Sequence, residues 1–133
     1  MGQPVVHFEV IGRDPGKLRT YYGELFGWEF DTSGSVSPEI SEAGNYGFVD
    51  SSMNGDGIGI NGGVGGGEDH NEYVVFYVGV PDVEAALQAA ERLGGTRAMG
   101  PAQAPGSDLV VGHFTDPEGP RIGFARHCIT RAA

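Results

Sequence analysis

Residues 5–28, VVHFEVIGRDPGKLRTYYGELFGW, decide the fold, because one run carries a strand, a helix and both helix caps. Val5-Val6-His7-Phe8-Glu9-Val10 alternates and is rich in β-branched and aromatic side chains, which predicts a strand. Asp14 then Pro15 predicts a helix start: the Asp carboxylate accepts from a first-turn N–H, and Pro sits where no donor is needed. Leu18, Tyr21, Tyr22 and Leu25 recur at helical spacing, and Gly27 is placed to close the helix. Trp28-Glu29-Phe30 reads as the next strand. The same grammar returns 68 residues on, from Val6 to Val74. Val74-Val75-Phe76-Tyr77-Val78 is the strand and Asp82 the cap; Val83, Ala86, Leu87 and Ala90 form the stripe, and Leu93-Gly94-Gly95 the stop.

The downstream segments repeat as well. Gly47-Phe48-Val49-Asp50 followed by Gly57-Ile58-Gly59-Ile60 reads as a hairpin. Gly112-His113-Phe114-Thr115-Asp116, the turn Pro117-Glu118-Gly119, and Arg121-Ile122-Gly123-Phe124 read the same way. Each half is therefore predicted as strand, helix and three further strands, which makes the class α+β. The organisation expected is one domain over 1–133: a first repeat over 4–61, a Gly-rich joint over 62–71 and a second repeat over 72–126. The joint reads as a connector rather than a phosphate loop, because no Lys-Ser/Thr follows its glycines. A strand is expected near Pro38 to Ile40 within the soft stretch 32–45, and a matching loop from Ala98 to Ser107.

Composition narrows the function. Gly contributes 24 and Pro 8 of 133 residues, which favours short strands and turns over a helical bundle. Eight Lys and Arg against 18 Asp and Glu give a net charge of −10, which excludes the electrostatic footprint of a nucleic-acid or anionic-membrane binder. One cysteine, Cys128, permits no internal disulfide and no cysteine cage for zinc. The absence of a long apolar run and of a leader at Met1-Gly2-Gln3-Pro4 gives the expectation of a cytoplasmic protein.

With Phe26-Gly27-Trp28, Leu93-Gly94-Gly95 and Asp116-Pro117-Glu118-Gly119 in this doubled order, the chain resembles the vicinal oxygen chelate superfamily from about Pro4 to Arg126. That superfamily includes glyoxalase I, bleomycin-resistance proteins, methylmalonyl-CoA epimerase and extradiol dioxygenases. The opening His7-Phe8-Glu9-Val10 to Trp28 is similar to stand-alone actinobacterial glyoxalase-like proteins. The resemblance implies two βαβββ repeats whose curled mixed sheets surround a central cleft. It also implies a homodimer, and in metal-dependent members four ligands, from the first and last strand of each half. Those positions fall here on His7, Val75, Gly59 and Gly123, so only His7 is retained, and no metal is expected.

Candidate site residues follow from strand parity. Val6, Phe8 and Val10 form the apolar face of the first strand, which places His7 and Glu9 on the opposite face. Glu9 there is either a ligand anchor or general base oriented by His7, or the partner of a cation such as Arg121. Tyr77 shares the corresponding face in the second half, and Phe48 and Phe114, with Tyr46, are candidates to line the pocket. His113 is expected to be partly exposed; facing inward, it would complete a set with His7 and Glu9 for one divalent ion such as Ni, Zn, Mn or Fe. Tyr21 and Tyr22 are expected in the core. Gly59 and Gly123 are expected to widen the floor. The leading expectation is a metal-free protein that holds a small aromatic or hydrophobic molecule, cationic or neutral, through His7, Glu9, Tyr77, Phe48, Phe114 and Arg121. The alternative is a metal-dependent lyase, isomerase or dioxygenase, or Glu9 acting alone as a base.

Overall fold

The computed structural model describes residues 2–50 and 58–126 and divides into two compact units, His7–Val74 and Met1–Val6 with Val75–Ala133. The first unit carries β1 (Val5–Gly12), α1 (Pro15–Phe26), β2 (Gly47–Val49) and β3 (Asn61–Gly66). Asp14 Oδ1 accepts from the Lys17 N–H at 3.1 Å, and Gly27, at φ 75°, donates its N–H to Gly23 O at 2.9 Å, so both caps form as the sequence predicts. β1 runs parallel to β3 with Glu9 opposite Gly63, and β2 runs antiparallel along β3 with Phe48 opposite the same glycine.

β3 corrects two expectations. All of its residues but Asn61 fall within the stretch read as a joint, and the hairpin partner expected at Gly57 to Ile60 lies earlier: Ile58, Gly59 and Ile60 are outside any strand, and Gly57 lies outside the described residues. The physical reason is steric. A Cβ at Gly62 would collide with the Phe8 ring, and one at Gly63 or Gly65 with the Tyr46 ring. The strand is glycine-rich because aromatic rings from its neighbours occupy the space that side chains would need on both of its faces.

Neither Trp28 to Phe30 nor Pro38 to Ile40 forms a strand; only Asp31 bridges to Phe48, and Pro38 to Ile40 is a turn. Trp28 instead enters a ring cluster with Phe8 at 5.2 Å, Phe26 at 4.8 Å and Tyr22 at 6.0 Å. Only one flank of α1 meets this cluster, so Tyr21 is 59% exposed rather than in the core, and Leu25 is exposed with it.

The second unit follows a full βαβββ pattern: β4 (Tyr73–Gly79), whose first two residues belong to the first unit, α2 (Val83–Arg92), β5 (Thr96–Gln103), β6 (Val110–Thr115) and β7 (Arg121–Arg126). β4 is parallel to β7, and β6 lies antiparallel between β7 and β5. β5 occupies much of the loop expected from Ala98 onward. Asp82 caps α2 by accepting from Ala85 N at 3.0 Å. Val80, Val83 and Leu87 form its core, with Phe114 and Phe124 packed against them. Arg97 grips Glu84 through two nitrogens at 2.9 and 2.8 Å, and these bonds hold the Glu84 carboxyl down at about 2. The Asp116 to Gly119 turn closes as read: Asp116 Oδ1 accepts from Glu118 N at 2.7 Å and Gly119 N at 3.0 Å. Among the described residues, no helix is long and apolar enough to cross a membrane.

Candidate functional site

Each unit builds a polar cluster, buried at its centre and half-buried at its margin, on the strand face turned away from its helix. In the first, Phe8 points to Trp28 and α1, so strand alternation sends His7 and Glu9 to the other face. Glu9 is 3% exposed, and its two carboxylate oxygens accept from two tyrosines: Tyr46 Oη donates to Oε1 at 2.8 Å and Tyr73 Oη to Oε2 at 3.1 Å. His7 Nε2 lies 2.9 Å from the same Tyr46 hydroxyl. A hydroxyl has one proton, and Tyr46 gives it to Glu9, so the His7 contact requires His7 to donate from Nε2–H. Burial pushes the His7 imidazole down to about 4, which keeps it neutral at physiological pH. Burial, and then the Glu9 charge, raise the Tyr46 phenol well above its usual range, so it stays a donor. The Phe48 ring completes the cluster, 6.4 Å from His7 and 4.8 Å from Tyr46 between centroids.

Tyr46 reaches this position through a short clamp. Ser41 exchanges hydrogen bonds with Gly66, Glu42 N donates to Gly66 O at 2.9 Å, and Arg19 of α1 donates to Asn45 O at 2.6 Å. The tyrosine that follows Asn45 then occupies the space beside Gly63 and Gly65.

The second unit holds Tyr77, His113 and Arg121. His113 is 1% exposed, which corrects the expectation of a partly exposed residue. Arg121 Nη1 lies 2.8 Å from His113 Nδ1, and Tyr77 Oη lies 2.7 Å from Nε2. A guanidinium only donates, so Nδ1 is the acceptor and the imidazole proton sits on Nε2, directed at the Tyr77 oxygen. Burial, with the Arg121 charge behind it, lowers the His113 imidazole to about 4. His113 and Tyr77 both stand opposite Gly123 in their ladders, and a Cβ there would lie 2.5 Å from the Tyr77 ring.

Of the residues named from sequence, His7, Glu9 and Phe48 come together in one unit, and Tyr77, His113 and Arg121 in the other. Phe114 joins neither: it alternates with His113 and stacks on Phe124 at 4.9 Å beneath α2. Tyr73 was missed, although it shares the parity of Val75 and Tyr77 along β4, and that signal was available. The glycines do not widen the floor. Gly63, not Gly59, is the counterpart of Gly123, and the Tyr46 and Tyr77 rings occupy the space beside them.

The donor set does not fit a divalent cation. His7 Nε2 carries its proton toward Tyr46, His113 is engaged at both nitrogens with one neighbour a guanidinium, and both Glu9 oxygens accept from hydroxyls. Among the described residues, no group of three or more His, Cys, Asp or Glu side chains is placed to hold a metal.

Solved structures share this architecture. Methylmalonyl-CoA epimerase in complex with methylmalonyl-CoA and NH4+ is 14% identical, with a TM-score of 0.66 over 98% of this chain and 99% of that one. Streptomyces coelicolor methylmalonyl-CoA epimerase in complex with 2-nitronate-propionyl-CoA gives the same identity, coverage and TM-score. Methylmalonyl-CoA epimerase from Mycobacterium tuberculosis is 11% identical, with a TM-score of 0.60 over 92% of this chain and 87% of that one. At such identities the likeness speaks for the fold alone. No curated protein sequence matches the chain. The family model does: it matches residues 5–124, and with the doubled βα pattern and the parallel β1–β3 and β4–β7 pairs it places the chain in the Glyoxalase/Bleomycin resistance protein/Dioxygenase superfamily.

Proposed function

We propose that this protein is a metal-free small-molecule binder of its superfamily, which holds an aromatic or hydrophobic molecule with a cationic or donor-rich group. The observation that carries the reading is the cluster of buried Glu9 and Tyr46 with half-buried Tyr73 and His7. A buried carboxylate with its network costs stability that an apolar core would not, so a polar group of this kind is best explained by what it recognises. Glu9 and His7 supply the polar anchor, and Phe48 supplies a flat apolar wall. Tyr77 and Arg121, joined to His113, are the candidate ligand contacts of the second unit.

The test is a panel of planar aromatic molecules, matched as cationic and neutral isosteres, measured by calorimetry with metal-stripped protein. We expect saturable binding of cationic members that Glu9→Gln weakens by about ten- to a hundred-fold, the range for losing a charge-assisted hydrogen bond. Equal affinities for wild type and Glu9→Gln would overturn the assignment of Glu9. Near-stoichiometric metal in tag-free protein would overturn the metal-free reading.

A second reading is favoured by one feature, the continuous chain from His7 through the Tyr46 hydroxyl to Glu9. With the hydrogen bonds running from His7 through Tyr46 to Glu9, the carboxylate is the proton acceptor: it would take a proton from a carbon acid, leaving the electron pair on the substrate carbon, and return it in the reverse step. The similar structures include methylmalonyl-CoA epimerases, so exchange of an acidic C–H with D2O is the activity to assay, and Glu9→Gln should abolish it.

A further inference from the structure

We infer that two tyrosines exclude metal from this protein: in each unit a hydroxyl caps a histidine Nε2, and its ring fills the volume that a chelating side chain on the last strand would need. This deepens the metal-free reading above and rests on it. The first unit shows both halves of the device. Gly63 stands opposite Glu9 in the β1–β3 ladder, so a side chain there would project onto the face that carries His7 and Glu9. The Tyr46 ring lies where its Cβ would be, and the Tyr46 hydroxyl stands between His7 Nε2 and Glu9 Oε1.

The second unit repeats the arrangement with different partners. Gly123 stands opposite Tyr77 in the β4–β7 ladder, and the Tyr77 ring excludes a side chain there. The Tyr77 hydroxyl caps His113 Nε2, while Arg121 takes Nδ1 and puts a positive charge against the imidazole. A metal at Nε2 of either histidine would have to displace the proton there and break the hydrogen bond to the tyrosine hydroxyl. Two independent placements of tyrosine on glycine, each ending at an imidazole nitrogen, make this a built feature of the chain rather than a single lost ligand.

The inference predicts a gain of function. Full-length wild type, Tyr46→Phe and Tyr77→Phe are titrated with Zn²⁺ by calorimetry and with Co²⁺ by visible absorption. Phe keeps the ring on its glycine and removes only the hydroxyl, so the fold is disturbed as little as possible. We expect no saturable metal binding by wild type. Tyr46→Phe should show saturable Zn²⁺ binding where wild type shows none, because His7 Nε2 and Glu9 Oε1 lose the hydroxyl that joins them. Adding His7→Ala to Tyr46→Phe should remove the gain. Tyr77→Phe should gain less, because Arg121 still opposes a cation, and it serves as the second test if Tyr46→Phe does not fold. Unchanged metal affinity in the folded variants would overturn this inference and leave the metal-free binding protein standing. Tight stoichiometric metal in wild type would overturn both.

Discussion

His7 and His113 are each one hydrogen bond from a tyrosine oxygen, and burial lowers both to about 4 from an ordinary value of 6.5. The consequence for stability has a definite sign. Between about 4 and 6.5 the unfolded chain binds protons that the folded chain refuses, so stability is fully present above 6.5 and is lost as pH falls toward 4. Each imidazole contributes roughly 3 kcal/mol over that window. We expect urea midpoints to be flat from pH 8 to 7 and to fall steeply from pH 6 to 4.5. A His113→Gln variant should lose part of that slope, and a slope unchanged in the variant would show that the imidazole is not held neutral by the fold. The parity of β1 made His7 and Glu9 legible as partners on one face. His113 was not legible, because Val110-Val111-Gly112-His113-Phe114 carries no clean alternation, and its inward placement is settled by β6 pairing it with Gly123.

Strand β3 shows what sequence patterning misses at the scale of an element. Asn61-Gly62-Gly63-Val64-Gly65-Gly66 has the composition of a linker, yet it is the middle strand of its unit, and its residues from Gly62 onward are buried. Strand propensity measures how side chains pack on a pleated surface, and here the packing groups belong to Phe8 and Tyr46 on neighbouring segments. No local rule finds such a strand. The helices were legible because their caps are local chemistry: Asp14 with Pro15, Gly27 and Asp82 each act within four residues. The same contrast predicts the sign of glycine substitutions. Gly63→Ala should destabilise by about 3 kcal/mol, since the Tyr46 ring must leave its seat and its hydrogen bonds. Gly16→Ala, in the first turn of α1 with only the Asp14 carboxylate near its Cβ, should stabilise by about 0.5 kcal/mol. Thermal melts of the two variants check both signs, and equal effects would mean that β3 is not packed as described.

For the whole molecule the repeat was legible and the reaction was not, because a doubled βαβββ pattern specifies a scaffold while the ligand is chosen by a few side chains on one face of it. Charge is the molecular property that bears on the ligand. A net charge of −10 over 133 residues surrounds the protein with a negative field, and that field acts on approach before any contact with Glu9. Screening separates the two effects. The Debye length shrinks from about 30 Å at 0.01 M salt to about 8 Å at 0.15 M, which removes long-range attraction and leaves short-range, buried contacts largely intact. For a cationic aromatic ligand, stopped-flow association should therefore slow by about three-fold or more over that range, with dissociation nearly constant. Glu9→Gln should do the opposite: it should raise the dissociation rate and keep the salt dependence of association, since one charge of the 18 acidic residues barely alters the field. A neutral isostere should show neither effect. If cation and neutral isostere respond to salt alike, the acidic surface serves solubility alone, and recognition rests on the buried cluster by itself.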